Sequence, residues 1–342
     1  MNLKKIVALA TATVLSTSLL VGCSGKQEAK GSKKLKVAMI TDVAGVNDQS
    51  FNQSAWEGLQ KAQKELGIDV KYLESKQDSD YAPNVETLVD EGADLILGVG
   101  SKLSPAIQKA SELYPDQKFA IVDETYKDVP KNVKSVLFNA QESAYLVGLV
   151  AGKMTKTNNV GFIGGIQIPV IETFQYGFMA GVKAANPKIE IQEQYANSFT
   201  DQAKGKAIAN QMYSKGADTL FIAGGDVGTG AIEAAKETGK YAIGVDRDQS
   251  ELAPKNVLSS AIKRVDVGVF ALAKELVDGK FEGGTTEVFG LDQNAVGIPD
   301  TTSNLVPKDI LDFVKQETSK FKSGELKAPK NKVEYDEFLK NL

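Results

Sequence analysis

Asp246-x-Asp248, with Glu251 close behind, gathers carboxylates of the kind that bind hard cations or act as acid and base. The spacing does not fill a calcium-loop template, so no metal is assigned to it. Asp246 directly follows the apolar run Ala242–Val245. A carboxylate there suits vicinal sugar hydroxyls, because charge-assisted hydrogen bonds are the stronger ones. Lys263, past the run Leu258–Ala261, can donate to the same sugar or pair with Asp246. The segment Gly224-Gly225-Asp226-Val227-Gly228-Thr229-Gly230 resembles a phosphate loop only in its glycines. It lacks the Gly-Lys-Ser/Thr ending, does not fit G-x-G-x-x-G, and carries an aspartate that repels phosphate. Two readings stand: backbone at Gly225 approaching a neutral, hydroxyl-rich ligand, or a plain strand-to-helix turn.

The chain has no histidine. The usual general base, the usual zinc ligand and every Ser-His or Cys-His pair are therefore missing. Other candidates are polar residues just past apolar runs: Thr41-Asp42, then Asn47-Asp48-Gln49-Ser50-Phe51-Asn52, and Asp123-Glu124. Phe51 and Phe199 sit in polar loops. Each can staple onto its neighbouring helix or stack on a flat ligand, a contact worth about 1–3 kcal/mol per base. Asp42 and Asp123 can accept hydrogen bonds from the edge of a heterocycle. Trp56 lies mid-helix and reads as packing.

These residues need elements to hold them. Short apolar runs predict strands at Lys36–Thr41, Val70–Leu73, Leu95–Val99, Phe119–Val122, Ser135–Phe138, Val160–Ile163, Thr219–Ala223, Ala242–Val245 and Leu258–Ala261, most of them continuous, the mark of strands buried on both faces. Amphipathic stretches between them predict helices at Ser50–Leu66, Asp80–Glu91, Ser104–Tyr114, Ser143–Met154, Ile171–Ala185, Asp201–Lys215, Gly228–Thr238, Asp266–Asp278 and Lys308–Lys322. Ser50-x-x-Gln53 has capping-box spacing, and Gly67 ends that helix. Strand-helix alternation means parallel sheets with helices on both faces. It restarts near residue 140, which predicts a duplicated, doubly wound α/β architecture. Ligands of such sheets bind at the C-terminal strand ends, where the candidates lie.

At the other end of the chain, Lys4 and Lys5 precede an apolar run from Ile6 to Val21 that reads as a secretory signal over residues 1–22. Leu20-Val21-Gly22-Cys23 resembles a bacterial lipobox, which implies cleavage before Cys23 and acyl chains on the only cysteine of the chain. Residues 24–34 read as a flexible tether. The expected location is the extracytoplasmic face of the cell membrane, held by lipid alone. No second long apolar run exists for a permease or channel. A formal net charge of −4 over 342 residues argues against nucleic-acid binding.

Several motifs carry a family resemblance. Thr41-Asp42, Gly45-Val46-Asn47-Asp48-x-Ser50-Phe51-Asn52 and Trp56-Glu57-Gly58 resemble the opening signature of the basic membrane lipoprotein family. Further matches are Tyr145-Leu146-x-Gly148-x-x-Ala151-Gly152, Gly161-Phe162-Ile163-Gly164-Gly165, Phe174-x-x-Gly177-Phe178-x-Ala180-Gly181 and Gly244-Val245-Asp246-x-Asp248-Gln249. The resemblance runs from Leu35 to about Gly324. It implies a type I periplasmic-binding-protein fold: two doubly wound parallel-sheet lobes joined by three crossovers, with ligand in the cleft. Lobe 1 is expected over 35–139 with part of 263–290, lobe 2 over 140–262 with part of 291–325, and a C-terminal tail over 326–342. The family sandwiches a nucleoside base between two phenylalanines, which map to Phe51 and Phe199. Asp42, Asp48 or Asn52, and Asp123 map to base and pocket contacts, and Gly225, Asp246 and Lys263 to ribose contacts.

The expectation is a monomeric, lipid-anchored receptor that captures nucleosides, purines preferred, and delivers them to an ABC transporter permease without chemistry or cofactor. Its rivals are a nucleoside-cleaving hydrolase using Asp246 and Asp248, a receptor of the same family for another small ligand, and a sugar-sensing regulator core. No helix-turn-helix precedes Leu35, and export excludes the last.

Overall fold

The structure is a computed structural model that describes residues 34–342, with a folded body over Leu35–Leu342. The signal sequence, Cys23 and residues 24–33 of the tether lie outside the described residues. Among the described residues no helix is long and apolar enough to cross a membrane.

The body contains two six-stranded sheets. The first comprises β1 (Lys36–Ile40), β2 (Asp69–Leu73), β3 (Leu95–Val99), β4 (Lys118–Val122), β5 (Val133–Phe138) and β11 (Thr285–Phe289). The second comprises β6 (Asn159–Gly164), β7 (Glu190–Tyr195), β8 (Thr219–Ala223), β9 (Tyr241–Asp246), β10 (Val257–Lys263) and β12 (Val296–Gly297). Their orders, β11-β5-β4-β3-β1-β2 and β12-β10-β9-β8-β6-β7, are the same topology twice. Every pairing is parallel except β10 with β12. The duplicated, doubly wound architecture is present as expected.

Helices cover both faces. In the first lobe α1 (Phe51–Leu66) and α8 (Val265–Val277) lie on one side, α2 (Tyr81–Asp90) and α3 (Ser104–Leu113) on the other. The continuous apolar strands explain this split. Along β1, Val37 and Met39 face the first pair while Ala38 and Ile40 face the second. In the second lobe α4 (Ala140–Met154) and α5 (Pro169–Ala185) oppose α6 (Gln202–Ser214) and α7 (Asp226–Thr238). α4 and α5 cross so closely that a Cβ on Gly148 would lie 2.3 Å from the Phe178 carbonyl oxygen, and one on Gly181 2.1 Å from that of Tyr145. Two of the quoted motifs are thus explained as helix contact. Emptying such a core position, as in Phe178→Ala, costs about 3–5 kcal/mol.

The chain passes between lobes three times: at Asn139, at Arg264, and through residues 290–295. The crossovers brace one another, since the Asn139 amide donates to the Phe289 carbonyl at 2.8 Å and the Arg264 amide to that of Ala295 at 2.7 Å.

All the expected strands and helices form. Those the pattern missed are edge strands β7, β11 and β12 and, after the expected α9 (Lys308–Lys322), a last helix, α10 (Lys332–Lys340). β7 reads Glu-Ile-Gln-Glu-Gln-Tyr and buries no residue fully, so it carries no apolar run. Residues 326–342, expected as a tail, hold α10 against the second lobe, with Tyr335 buried and its ring 5.8 Å from that of Tyr176.

Candidate functional site

One cavity between the lobes gathers Asp42, Asp48, Phe51, Asn52 and Asp123 from the first, and Phe199, Gly225, Asp246 and Lys263 from the second. These are all of the candidate ligand-site residues. Its empty volume is about 620 Å3, part of it open to solvent.

Topology places them. Asp42 follows β1, Asp123 follows β4, and Asp246 and Lys263 end β9 and β10, so each carboxylate sits at a C-terminal strand edge. Gly225 precedes α7 with φ +56°, where the backbone closes to 2.9 Å between the Asp226 amide and the Phe199 carbonyl. That bond pins the Phe199 loop, and the Phe199 ring lies on the backbone of Gly165.

Lys263 is the electrostatic centre. It is 3 % exposed, pairs with Asp123 across the cleft, and lies 3.4 Å from Asp246 Oδ1. Its ammonium is also 4.6 Å from the centroid of the Phe51 ring and 5.5 Å from that of Phe174. Burial alone would lower its pKa; the two carboxylates outweigh burial and raise it, so it stays charged. The sequence left Asp123 open as an acceptor for a ligand; here one of its oxygens is committed to Lys263.

Asp48 takes the role expected of Ser50. Its carboxylate accepts the amides of Ser50 (3.0 Å), Asn52 (2.8 Å) and Gln53 (3.1 Å) and the Asn52 side chain (3.0 Å), capping α1. Burial pushes its pKa up to about 6, against those donors. Ser50 makes no cap; its hydroxyl donates across the cleft to Asp246 Oδ2. The capping-box reading is therefore corrected: the carboxylate two residues earlier outcompetes a hydroxyl for amides at a helix start.

Asp42 accepts from the Ala44 amide at 3.0 Å and the Asn52 side chain at 2.9 Å, and burial raises its pKa. Asn52 Oδ1 is buried without a hydrogen-bond partner in the protein, and Asp246 Oδ1 has only its 3.4 Å ion pair with Lys263.

Asp248 is not part of this cavity. It is exposed and accepts from the Ser250 amide at 3.0 Å and the Thr301 hydroxyl at 2.7 Å. The carboxylate pair that the hydrolase reading uses therefore does not meet in this cavity. Trp56 packs edge-on against Tyr72 at 4.8 Å, as expected.

The sequence reading missed Gly100, Ser101 and Lys102 past β3, the wall formed by Ile168, Val170 and Ile171, and Phe174. Phe174 is buried inside an apolar helix, where nothing in the pattern separates it from core. Ser101 and Lys102 also follow a strand and could have been found by the same rule as Asp42.

The chain matches known proteins over most of its length. The sequence model of the Bmp family, described as ABC transporter substrate-binding protein PnrA-like, matches residues 35–332. A CD4+ T-cell-stimulating antigen of Listeria monocytogenes is 43% identical, covering 95% of this chain and 99% of that one. The ABC transporter nucleoside-binding protein BmpA of Lactococcus lactis is 41% identical, covering 88% and 93%. Among solved structures, an ABC transporter solute-binding protein of Aeropyrum pernix superposes with TM-score 0.79 at 28% identity, covering 90% and 96%.

Proposed function

This chain belongs to the PnrA-like Bmp family of ABC transporter substrate-binding proteins, and from that premise we propose that its cleft captures nucleosides, purines preferred, and hands them intact to an ABC importer. The observation that carries the reading is one cavity lined by Phe51 and Phe199 from opposite lobes beside the Asp246 carboxylate. Two rings offer π faces to a planar base, and a buried carboxylate offers acceptors to vicinal hydroxyls. The unpartnered Asn52 Oδ1 can take an N–H from the base, and Asp246 Oδ1 a hydroxyl from the sugar. Burying Asn52 Oδ1 without a partner costs about 1–3 kcal/mol, so a ligand supplying that donor recovers the cost. The nucleoside-binding name of the Lactococcus relative supports the same ligand class.

The protein contributes binding, not bond cleavage. The bonds across the cleft from Lys263 and Ser50 hold the lobes together, and closure around the ligand is the signal a permease reads. An acyl chain at Cys23 tethers the receptor outside the cell, and the protein acts as a monomer.

Calorimetry with adenosine, guanosine, uridine and free adenine tests this. Micromolar or tighter binding of the purine nucleosides, weaker binding of uridine, and chromatographic recovery of unchanged nucleoside are expected. Absence of binding to all four overturns the ligand class, and release of free base revives the hydrolase.

A further inference from the structure

Gln249 is buried to 3 % exposure and spends its whole side-chain amide on two lobes. Its Oε1 accepts the Val245 amide at 3.0 Å. Its Nε2 donates to the Gln49 carbonyl, on the other lobe, at 3.1 Å. Its own amide donates to the Ser260 hydroxyl at 3.1 Å, which fixes the loop to β10.

Both ends of this amide touch strained backbone. Val245 precedes Asp246, whose φ is +63°, and Gln49 has φ +53°. Non-glycine residues in that region are strained and persist only where their surroundings hold them. Gln49 also precedes Ser50, whose hydroxyl donates to Asp246, and Ser50 precedes Phe51. Two adjacent residues of one lobe are thus gripped by two residues of the other, beside a ring and a carboxylate of the cavity.

We propose that Gln249 is a positioning residue for nucleoside capture: it orients Asp246 through Val245 and, through Gln49, supplies a bond made only when the lobes are closed. This rests on the nucleoside reading above. The two halves of the role separate chemically. Gln249→Glu keeps an acceptor for Val245 but loses the donor to Gln49 and sets a carboxylate against a carbonyl. Gln249→Met keeps the volume and loses both.

The test is stopped-flow binding of guanosine and 2′,3′-dideoxyguanosine to the parent, to both variants and to Ser50→Ala. In Gln249→Glu, dissociation should speed about tenfold with little change in association rate, the scale of one lost hydrogen bond to a charged or desolvated partner. The ratio of ribo to dideoxy affinity should hold. In Gln249→Met that ratio should also fall, because Asp246 is no longer aimed. Ser50→Ala should speed dissociation as Gln249→Glu does. A purely structural Gln249 would lower melting temperature while leaving rates and ratio of the folded fraction unchanged, and that result overturns the inference. Should Gln249→Met not fold, the rates of Gln249→Glu decide. If the parent binds neither ligand, the nucleoside reading fails; if it binds and both variants match it, only the role of Gln249 fails.

Discussion

Asp123 and Asp246 are counterparts in the duplicated lobes. One follows β4 and the other ends β9, which hold the same place in their sheets, with φ +62° and +63°. Both converge on the Lys263 ammonium. The duplication therefore brings two buried anions face to face, and one cation from the end of β10 joins them.

Removing that cation should be costly. Lys263→Met leaves two buried carboxylates uncompensated, a loss of about 3–5 kcal/mol by comparison with other broken buried pairs. Lys263→Met combined with Asp123→Asn should regain much of it. Urea midpoints of parent, single and double variants measure this. Equal midpoints for parent and Lys263→Met would mean that the triad does not hold the lobes in solution.

Asp246→Ala should weaken ribonucleosides more than 2′,3′-dideoxynucleosides: both lose the closing bond from Ser50, and on the nucleoside reading only the first also lose contacts to their hydroxyls. Two charge-assisted hydrogen bonds of about 1.5–3 kcal/mol each set the scale. Calorimetry on both ligand types decides it; an equal loss for both moves Asp246 away from the ribose.

The legibility of this molecule follows from where its information lies. Strands buried on both faces announce themselves as apolar runs, so β3 and β8 were readable to the residue. Edge strands such as β7 are half solvated and look like loop. The candidate cavity was readable because doubly wound sheets put ligands at strand ends, and Asp42, Asp123 and Asp246 stand there. What the sequence hid is pairing. Nothing in it shows that Asp123 meets Lys263, 140 residues away, or that Asp48 rather than Ser50 caps α1. Both depend on how two lobes and one loop pack.

Asp48 predicts a pH dependence. Its pKa rises from 3.8 to about 6 on folding, so between those values the folded state binds the extra proton. Stability must then fall as pH rises through that window and level off above about 6. A rise of that size corresponds to roughly 3 kcal/mol between about pH 4 and pH 7. Asp48→Asn removes this contribution, and its stability should fall less over the same interval. Denaturation at both pH values on parent and variant measures the difference; parallel slopes would place Asp48 outside the titration.

Cys23→Ala should release the protein from the cell surface. Acyl chains supply roughly 0.8 kcal/mol per buried methylene, and no helix among the described residues can span a membrane. Detergent partitioning of the variant compared with the parent is the assay. Unchanged partitioning into detergent refutes the lipid anchor.

The base clamp is the sharpest test of the cavity. Phe51 comes from the start of α1, and Phe199 from the loop before α6 on the opposite lobe. Both rings are only half-buried although they line the cavity. Alanine at either position removes one stacking surface and should cost about 1–3 kcal/mol of nucleoside affinity. Tyrosine or tryptophan at either keeps a π face and should cost much less. The Lys263 ammonium, 4.6 Å from the Phe51 ring, adds a second consequence. Phe51→Ala exposes that ammonium to water and loosens the Asp123 pair, so it should lose more affinity than Phe199→Ala. If both rings serve only their own helices, alanine lowers the melting temperature and leaves affinity of the folded fraction intact. Melting temperature and calorimetric affinity, measured together on the alanine and tryptophan variants, separate the two. An intact affinity in Phe51→Ala with a large loss of stability removes the sandwich and with it the argument for a planar ligand.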